Sequence, residues 1–206
     1  KAHNIQWIGL GCDYDGWEAA MGTIPGHGHF LIFDNGSSNP VTKQSKIFEI
    51  NPYDANGNYL WQKDAGYTKV AGNYGVFSPK FNYSNQIVWR YQSTNPQCFF
   101  SAFISSCQRM PNGNTVIDSG NMGHFFEVTP AGKVVWEYIN PVLATGISET
   151  RSDSDFYYIS RMYRVPAKHP GLKGKKITGT TTITGKTASS SSSGSSGKGF
   201  MGFSQD

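Results

Sequence analysis

An all-β fold is predicted by three features of the sequence. Charged residues make up only 16% of the chain while aromatics reach 14%, and aromatic, low-charge sequences fit pleated sheets better than helices. Apolar runs are short and are broken every 8–12 residues by turn formers, among 24 glycines and 10 prolines. No window carries a helical period. These features exclude a coiled coil and a helical bundle. No 18-residue apolar run is present, so no membrane-spanning helix is expected. No leader sequence opens the chain, so a signal peptide is expected to be absent or already removed.

The elements follow in order. Strands are expected at Asn4–Ile8, His29–Phe33, Lys46–Ile50, Tyr59–Gln62 and Ile87–Tyr91 in the first half. In the second half they are expected at Ala102–Met110, Thr115–Asp118, Phe125–Thr129, Val134–Tyr138 and Ser160–Val165. The intervening turns carry Asp34-Asn35-Gly36, Asn56-Gly57-Asn58, Pro111-Asn112-Gly113-Asn114 and Pro130-Ala131-Gly132. Asn-Gly and Pro-x-Gly supply the positive φ that tight turns demand.

The chain repeats itself. Gly28–Ile32 matches Gly113–Ile117 at an offset of 85, Ile47–Pro52 matches Phe125–Pro130 at 78, and Gly57–Gln62 matches Gly132–Glu137 at 75. The shrinking offset assigns extra loop residues to the first copy, around Ser37–Ser45 and Tyr53–Asn56. Each copy reads as strand, turn, strand, turn, strand ending in Trp. Such a unit is a small antiparallel sheet that must stack on neighbours to bury both faces, as in a β-propeller blade. At roughly 40–45 residues per blade, residues 1–165 hold about three to four blades. That is part of a ring, and the chain reads as its C-terminal portion. The aromatic excess suits blade faces packed against one another. Glu49 and Glu127 recur at one position, which suggests structural use, and Trp61, Trp89 and Trp136 read as packing between blades.

Charge divides the chain at the same boundary. Residues 1–165 sum to −1, while 166–206 sum to +5 from six lysines against Asp206. The near-neutral body gives no electrostatic reason to propose nucleic acid as a partner. Residues 166–206 turn Lys-rich and then Ser/Thr/Gly-rich, the composition of a linker that cannot bury enough apolar area to fold alone. The three cysteines include no C-x-x-C, so no zinc site is expected. Cys98 and Cys107 either close a hairpin-scale disulfide in an oxidising compartment or stay as two buried thiols. His27 and His29 share one strand face but lack a third ligand, and the aligned Asn112 and Asn114 point to turn geometry. No metal or cofactor is expected. Asn35-Gly-Ser and Asn82-Tyr-Ser are sequons that glycans can occupy.

Several motifs, taken in order, resemble the bacterial arylsulfotransferase family. They are His3-Asn4-Ile5-Gln6-Trp7-Ile8, Gly28–Gly36, Gln108–Ile117, Gly123–Pro141, Met162-Tyr163-Arg164 and His169–Lys175. The resemblance covers nearly all of residues 1–176. It implies a β-propeller, commonly six-bladed, in the periplasm or outside the cell. It also implies transfer of a sulfuryl group from a phenolic sulfate to a phenol through a sulfurylated histidine, without a nucleotide donor. Carried onto this chain, it makes His124 the nucleophile and His3 its partner. The family's Arg after Phe-Asp-Asn-Gly is absent, Lys43 being the first cation, and Arg109 is a second cation able to hold the sulfonate. The family's His-Asp is His3-Asn4 here.

These departures keep a second function class in view. It is a non-catalytic secreted propeller that assembles into a surface layer or fibre, its tail contacting a neighbour. Partners are then a phenol or phenolic sulfate in the first reading. In the second they are further copies of the chain, or the propeller's other half.

Overall fold

The computed structural model describes residues 2–17, 21–37, 43–53, 56–57, 86–143, 146–147 and 157–176. Among them the fold is all-β. Two four-stranded antiparallel sheets each follow chain order. The first, sheet A, contains β1 (Ala2–Trp7), β2 (Phe30–Asp34), β3 (Lys46–Ile50) and β4 (Ile87–Tyr91). The second, sheet C, contains β5 (Ser106–Arg109), β6 (Thr115–Ser119), β7 (His124–Val128) and β8 (Val134–Ile139). A two-stranded ribbon of β9 (Val142–Leu143) and β10 (Gly146–Ile147) follows. Helical structure among the described residues is confined to three-residue 3-10 turns. None of these helices is long and apolar enough to cross a membrane.

Alternation decides the faces. In β2 and β3 every second residue is buried. Leu31, Phe33 and Ile47 are fully buried, and they form one core cluster with Cys107, Ile117, Phe126 and Val128 of sheet C. Aromatic rings close the middle of this interface. Phe99 meets Phe33 edge-on at 5.6 Å and Phe126 edge-on at 5.3 Å, and Tyr91 lies 5.6 Å from Phe99. Such edge-to-face pairs add about 0.5–1.5 kcal/mol each beyond their area.

The sheets confirm most of the expected strands and correct the alignment of the repeats. The strand bonded to β3 is Ile87–Tyr91, with Trp89 opposite Glu49, as Trp136 stands opposite Glu127. Both ladders carry a register shift just after that glutamate. Trp89, not Trp61, is therefore the counterpart of Trp136. The first copy carries its long insertion between β3 and β4. Tyr59–Gln62 and Asn82 lie outside the described residues, as does most of the Ser37–Ser45 loop.

Two further expectations change. The strand expected at Ala102–Met110 begins only at Ser106, because the 101–105 segment folds back on itself: Ser101 Oγ donates to the carbonyls of Phe103 and Ile104, and Ile104 has a φ of 38°. Ser160–Val165 has no ladder partner among the described residues. Cys98 and Cys107 are both free: Cys98 is exposed in a 3-10 turn and Cys107 is buried in β5.

The connection from β1 to β2 reaches β5, where Gln108 Nε2 donates to Asp13 O at 2.9 Å. Its 3-10 turn, Cys12–Tyr14, buries Tyr14 in the core cluster. Gly16 lies so close to the segment after Val165 that a Cβ there would meet His169 Cα and Pro166 Cγ at 2.8 Å. Its φ of 82° independently favours glycine.

Candidate functional site

The registers make Asn4 equivalent to Ser106, Gln6 to Gln108 and Trp7 to Arg109, since each is opposite a matched residue of β2 or β6. With this equivalence a polar arrangement between successive elements repeats. In the first seam Arg109, from β5, reaches back to sheet A. Its Nη2 donates to Glu49 Oε2 at 2.5 Å, and its guanidinium lies 4.6 Å over the Trp89 ring. His29 Nδ1 meets the other oxygen of Glu49 at 2.7 Å.

In the second seam Arg164 reaches back to sheet C. Its Nη1 donates to Glu127 Oε2 at 2.5 Å, and its guanidinium lies 5.3 Å over Trp136. Asn114 Nδ2, at the position of His29, donates to the other oxygen of Glu127 at 2.7 Å.

The backbone repeats the same step. Cys107 N–H donates to Asn4 Oδ1 at 3.4 Å, and Met162 N–H donates to Ser106 Oγ at 2.9 Å. Residues 162–164 thus occupy, beside β5, the place β5 occupies beside β1. The sequence carries the signal for this: Arg109-Met110-Pro111 recurs as Arg164-Val165-Pro166. The carboxylates pin the seams. Each takes charge-assisted bonds from an Arg of the next element and a polar bond from its own sheet. Burial pulls the Arg109 guanidinium below its ordinary value, and Glu49 opposes that pull.

Arg109 is therefore a seam residue: 3% exposed, with Nη1 donating to Gly113 O as well. His29 is also used in the seam, and no group of three or more metal-ligating side chains occurs among the described residues. Asn35 is buried. Its Nδ2 donates to Ser101 O at 2.7 Å, so the side chain a glycan would need is enclosed.

The two proposed histidines lie at the same end of the two sheets, on strands of different rank. His3 is exposed near the start of β1, within its register shift. His124 opens β7, with its ring 5.0 Å from that of Phe126. Its Nε2 meets Glu137 Oε1, on the outer strand β8, at 2.9 Å. The carboxylate on one ring nitrogen orients the imidazole, and the pair lies at the surface, the Glu137 side chain being 53% exposed.

On β6, between β5 and β7, stands a second unusual group. Asp118 is fully buried, with Oδ2 3.4 Å from Ser106 Oγ and Oδ1 without a hydrogen bond. Burial pushes its carboxyl up to about 7, against a smaller opposite effect of the Ser106 bond. Sequence reading missed Asp118, because an Asp in an alternating strand resembles a solvent-facing residue. No family model, curated protein or solved structure matches this chain.

Proposed function

We propose that the two meanders and the 160–165 segment are successive blades of a β-propeller, and that the chain is a secreted, arylsulfotransferase-like enzyme. The support for the propeller is the repeated seam: Arg109–Glu49–Trp89 and then Arg164–Glu127–Trp136. A single interaction that recurs in one direction is what radial stacking produces.

For catalysis the supporting observation is the His124–Glu137 pair at 2.9 Å. In this reading a ring nitrogen of His124 attacks the sulfur of an aryl sulfate. The sulfur–oxygen bond breaks and the phenolate leaves with the electron pair. A second phenolate then attacks the same sulfur, the nitrogen–sulfur bond breaks, and the imidazole is restored. Glu137 stabilises the ring as positive charge develops on it. Arg109, held by Glu49, takes no part in binding the sulfonate.

The test is transfer from 4-nitrophenyl sulfate to phenol. The expected result is nitrophenol release by the wild type, with a loss of about 10³-fold or more in His124→Ala and a smaller loss in Glu137→Gln. Release no faster than the blank, or release untouched by His124→Ala, defeats the catalytic reading. A specific observation favours the assembly reading. The face of sheet A away from sheet C is apolar and open, with Ile5 at 58% and Val88 at 50% exposure. If the chain assembles through that face, Ile5→Lys lowers its oligomeric mass in light scattering and leaves sulfotransfer unchanged.

A further inference from the structure

The 159–164 segment has no strand ladder among the described residues and is held mainly by side chains of sheet C. Met162 N–H donates to Ser106 Oγ at 2.9 Å, and Arg164 N–H donates to Gln108 Oε1 at 2.9 Å. Arg164 Nη1 donates to Glu127 Oε2. A backbone bond, from Ile159 N–H to Gly120 O at 2.9 Å, adds to these. Asp118 belongs to the same face of the sheet. It stands opposite Ser106 in the β5–β6 ladder, and both residues are fully buried.

Ser106 has a single hydroxyl hydrogen and two acceptors for it. Met162 O lies at 3.2 Å and Asp118 Oδ2 at 3.4 Å. The protonation of Asp118 decides between them. A protonated carboxyl donates its own hydrogen to Ser106 Oγ, which leaves the hydroxyl to donate to Met162 O. An ionised carboxylate only accepts, and the stronger, charge-assisted bond turns the hydroxyl towards it. Met162 O then loses its donor.

We propose that Asp118 and Ser106 form a proton-operated latch on the 159–164 segment, closed while Asp118 holds its proton and released once the carboxyl ionises. Release uncovers the face of sheet C that this segment shields. The latch depends on neither the catalytic nor the assembly reading.

The latch works near neutral pH, because burial pushes the Asp118 carboxyl up to about 7. On β7, Glu127 shares the face of Asp118 and is engaged by Arg164, while His124 lies on the opposite face with Phe126. On the segment itself, Arg161 lies 5.5 Å over the Tyr163 ring, and Tyr157 just before it is buried. Burial holds the phenols of Tyr138 and Tyr163 and the thiol of Cys107 above their ordinary values, so these groups stay neutral through the same range.

The test is amide hydrogen exchange of the full chain by NMR at pH 5 and pH 8, corrected for the intrinsic rate at each pH. In the wild type the protection of the Met162 amide is expected to fall about tenfold from pH 5 to pH 8, while the β2 amides keep theirs. Asp118→Asn, whose amide donates to Ser106 Oγ at either pH, is expected to hold Met162 protected at both. Equal protection at the two pH values in the wild type, or the same fall in Asp118→Asn, overturns the proposal. If that variant fails to fold, the wild type alone decides. The carbon-13 shift of the Asp118 carboxyl and the proton shift of the Met162 amide are expected to titrate with one midpoint, and separate midpoints overturn the proposal.

Discussion

The seam between sheets A and C and the seam between sheet C and the 160–165 segment use the same three residue types but bury them differently. In the first, the side chains of Arg109 and Glu49 are 3% and 9% exposed. In the second, Glu127 is 5% exposed but Arg164 is 36% exposed. The first also sits on an aromatic cluster of Phe33, Tyr91, Phe99 and Phe126. At the position of Phe33 the second has Asp118, and both residues are fully buried. One clasp therefore works in two environments. The environment decides how much the clasp contributes, because a charge pair out of water depends entirely on its partner while a half-exposed one still has solvent.

The largest effect is expected from breaking the more deeply buried clasp, Arg109–Glu49. Arg109→Ala leaves Glu49 buried with His29 as its remaining described partner, and losing one partner of a buried pair destabilises by about 3–5 kcal/mol. Arg164→Ala exposes Glu127 to solvent where Arg164 had been and is expected to lose about 1 kcal/mol. Urea denaturation of both variants checks the ordering. Equal losses would show that burial does not distinguish the seams. Replacing both charges, Arg109→Met with Glu49→Leu, is expected to recover most of the loss, since an apolar pair of similar volume avoids desolvation altogether.

The next effect separates the seams by pH. Asp118 has a carboxyl pushed up to about 7 by burial, from an ordinary 3.8. Below pH 4 the group is protonated whether the chain is folded or not, and the fold is not penalised. As pH rises from about 4 towards 7, the unfolded chain releases this proton while the folded chain retains it. Stability is therefore lost across that window and levels off above it. The penalty at pH 8 is on the order of 4 kcal/mol, from about three pH units at about 1.36 kcal/mol each. Asp118→Asn is expected to remove most of that slope and to raise the urea midpoint at pH 8 but not at pH 4. A variant that keeps the wild-type slope would place the titration elsewhere.

Much of this arrangement was legible in the sequence, and the failures have physical causes. Strand alternation gave β2 and β3 nearly to the residue, because one face of each lies in the core and the other does not. β6, buried on both faces, and β8, buried on neither, were legible from their apolar runs and bounding turns. The recurrence of Glu49 and Glu127 marked a structural position. Trp61 misled the alignment, because Gly57–Gln62 imitates Gly132–Glu137 in pattern; only hydrogen bonding to Glu49 shows Trp89 to be the partner. Arg109 looked like a free cation because sequence does not reveal a carboxylate 60 residues away. Asp118 was invisible because a strand Asp reads as solvent-facing, whereas this one is fully buried against Ser106 of β5. Local pattern fixes strands, whereas the seams are made by contacts distant in sequence.

The smallest expected effect is the most discriminating for the repeat itself. His29 and Asn114 occupy one position, and each gives a polar hydrogen to its seam glutamate at 2.7 Å. If the seams are one device, the residues are interchangeable. His29→Asn then keeps a hydrogen bond to Glu49 and changes stability by less than about 0.5 kcal/mol. His29→Leu removes the donor from a carboxylate still held by Arg109 and is expected to lose about 1–2 kcal/mol. The two variants hold position and burial constant and differ in whether a donor remains. A loss as large for Asn as for Leu would mean that His29 acts through its ring or its charge, and that the likeness between the two seams ends at the Arg–Glu–Trp contact.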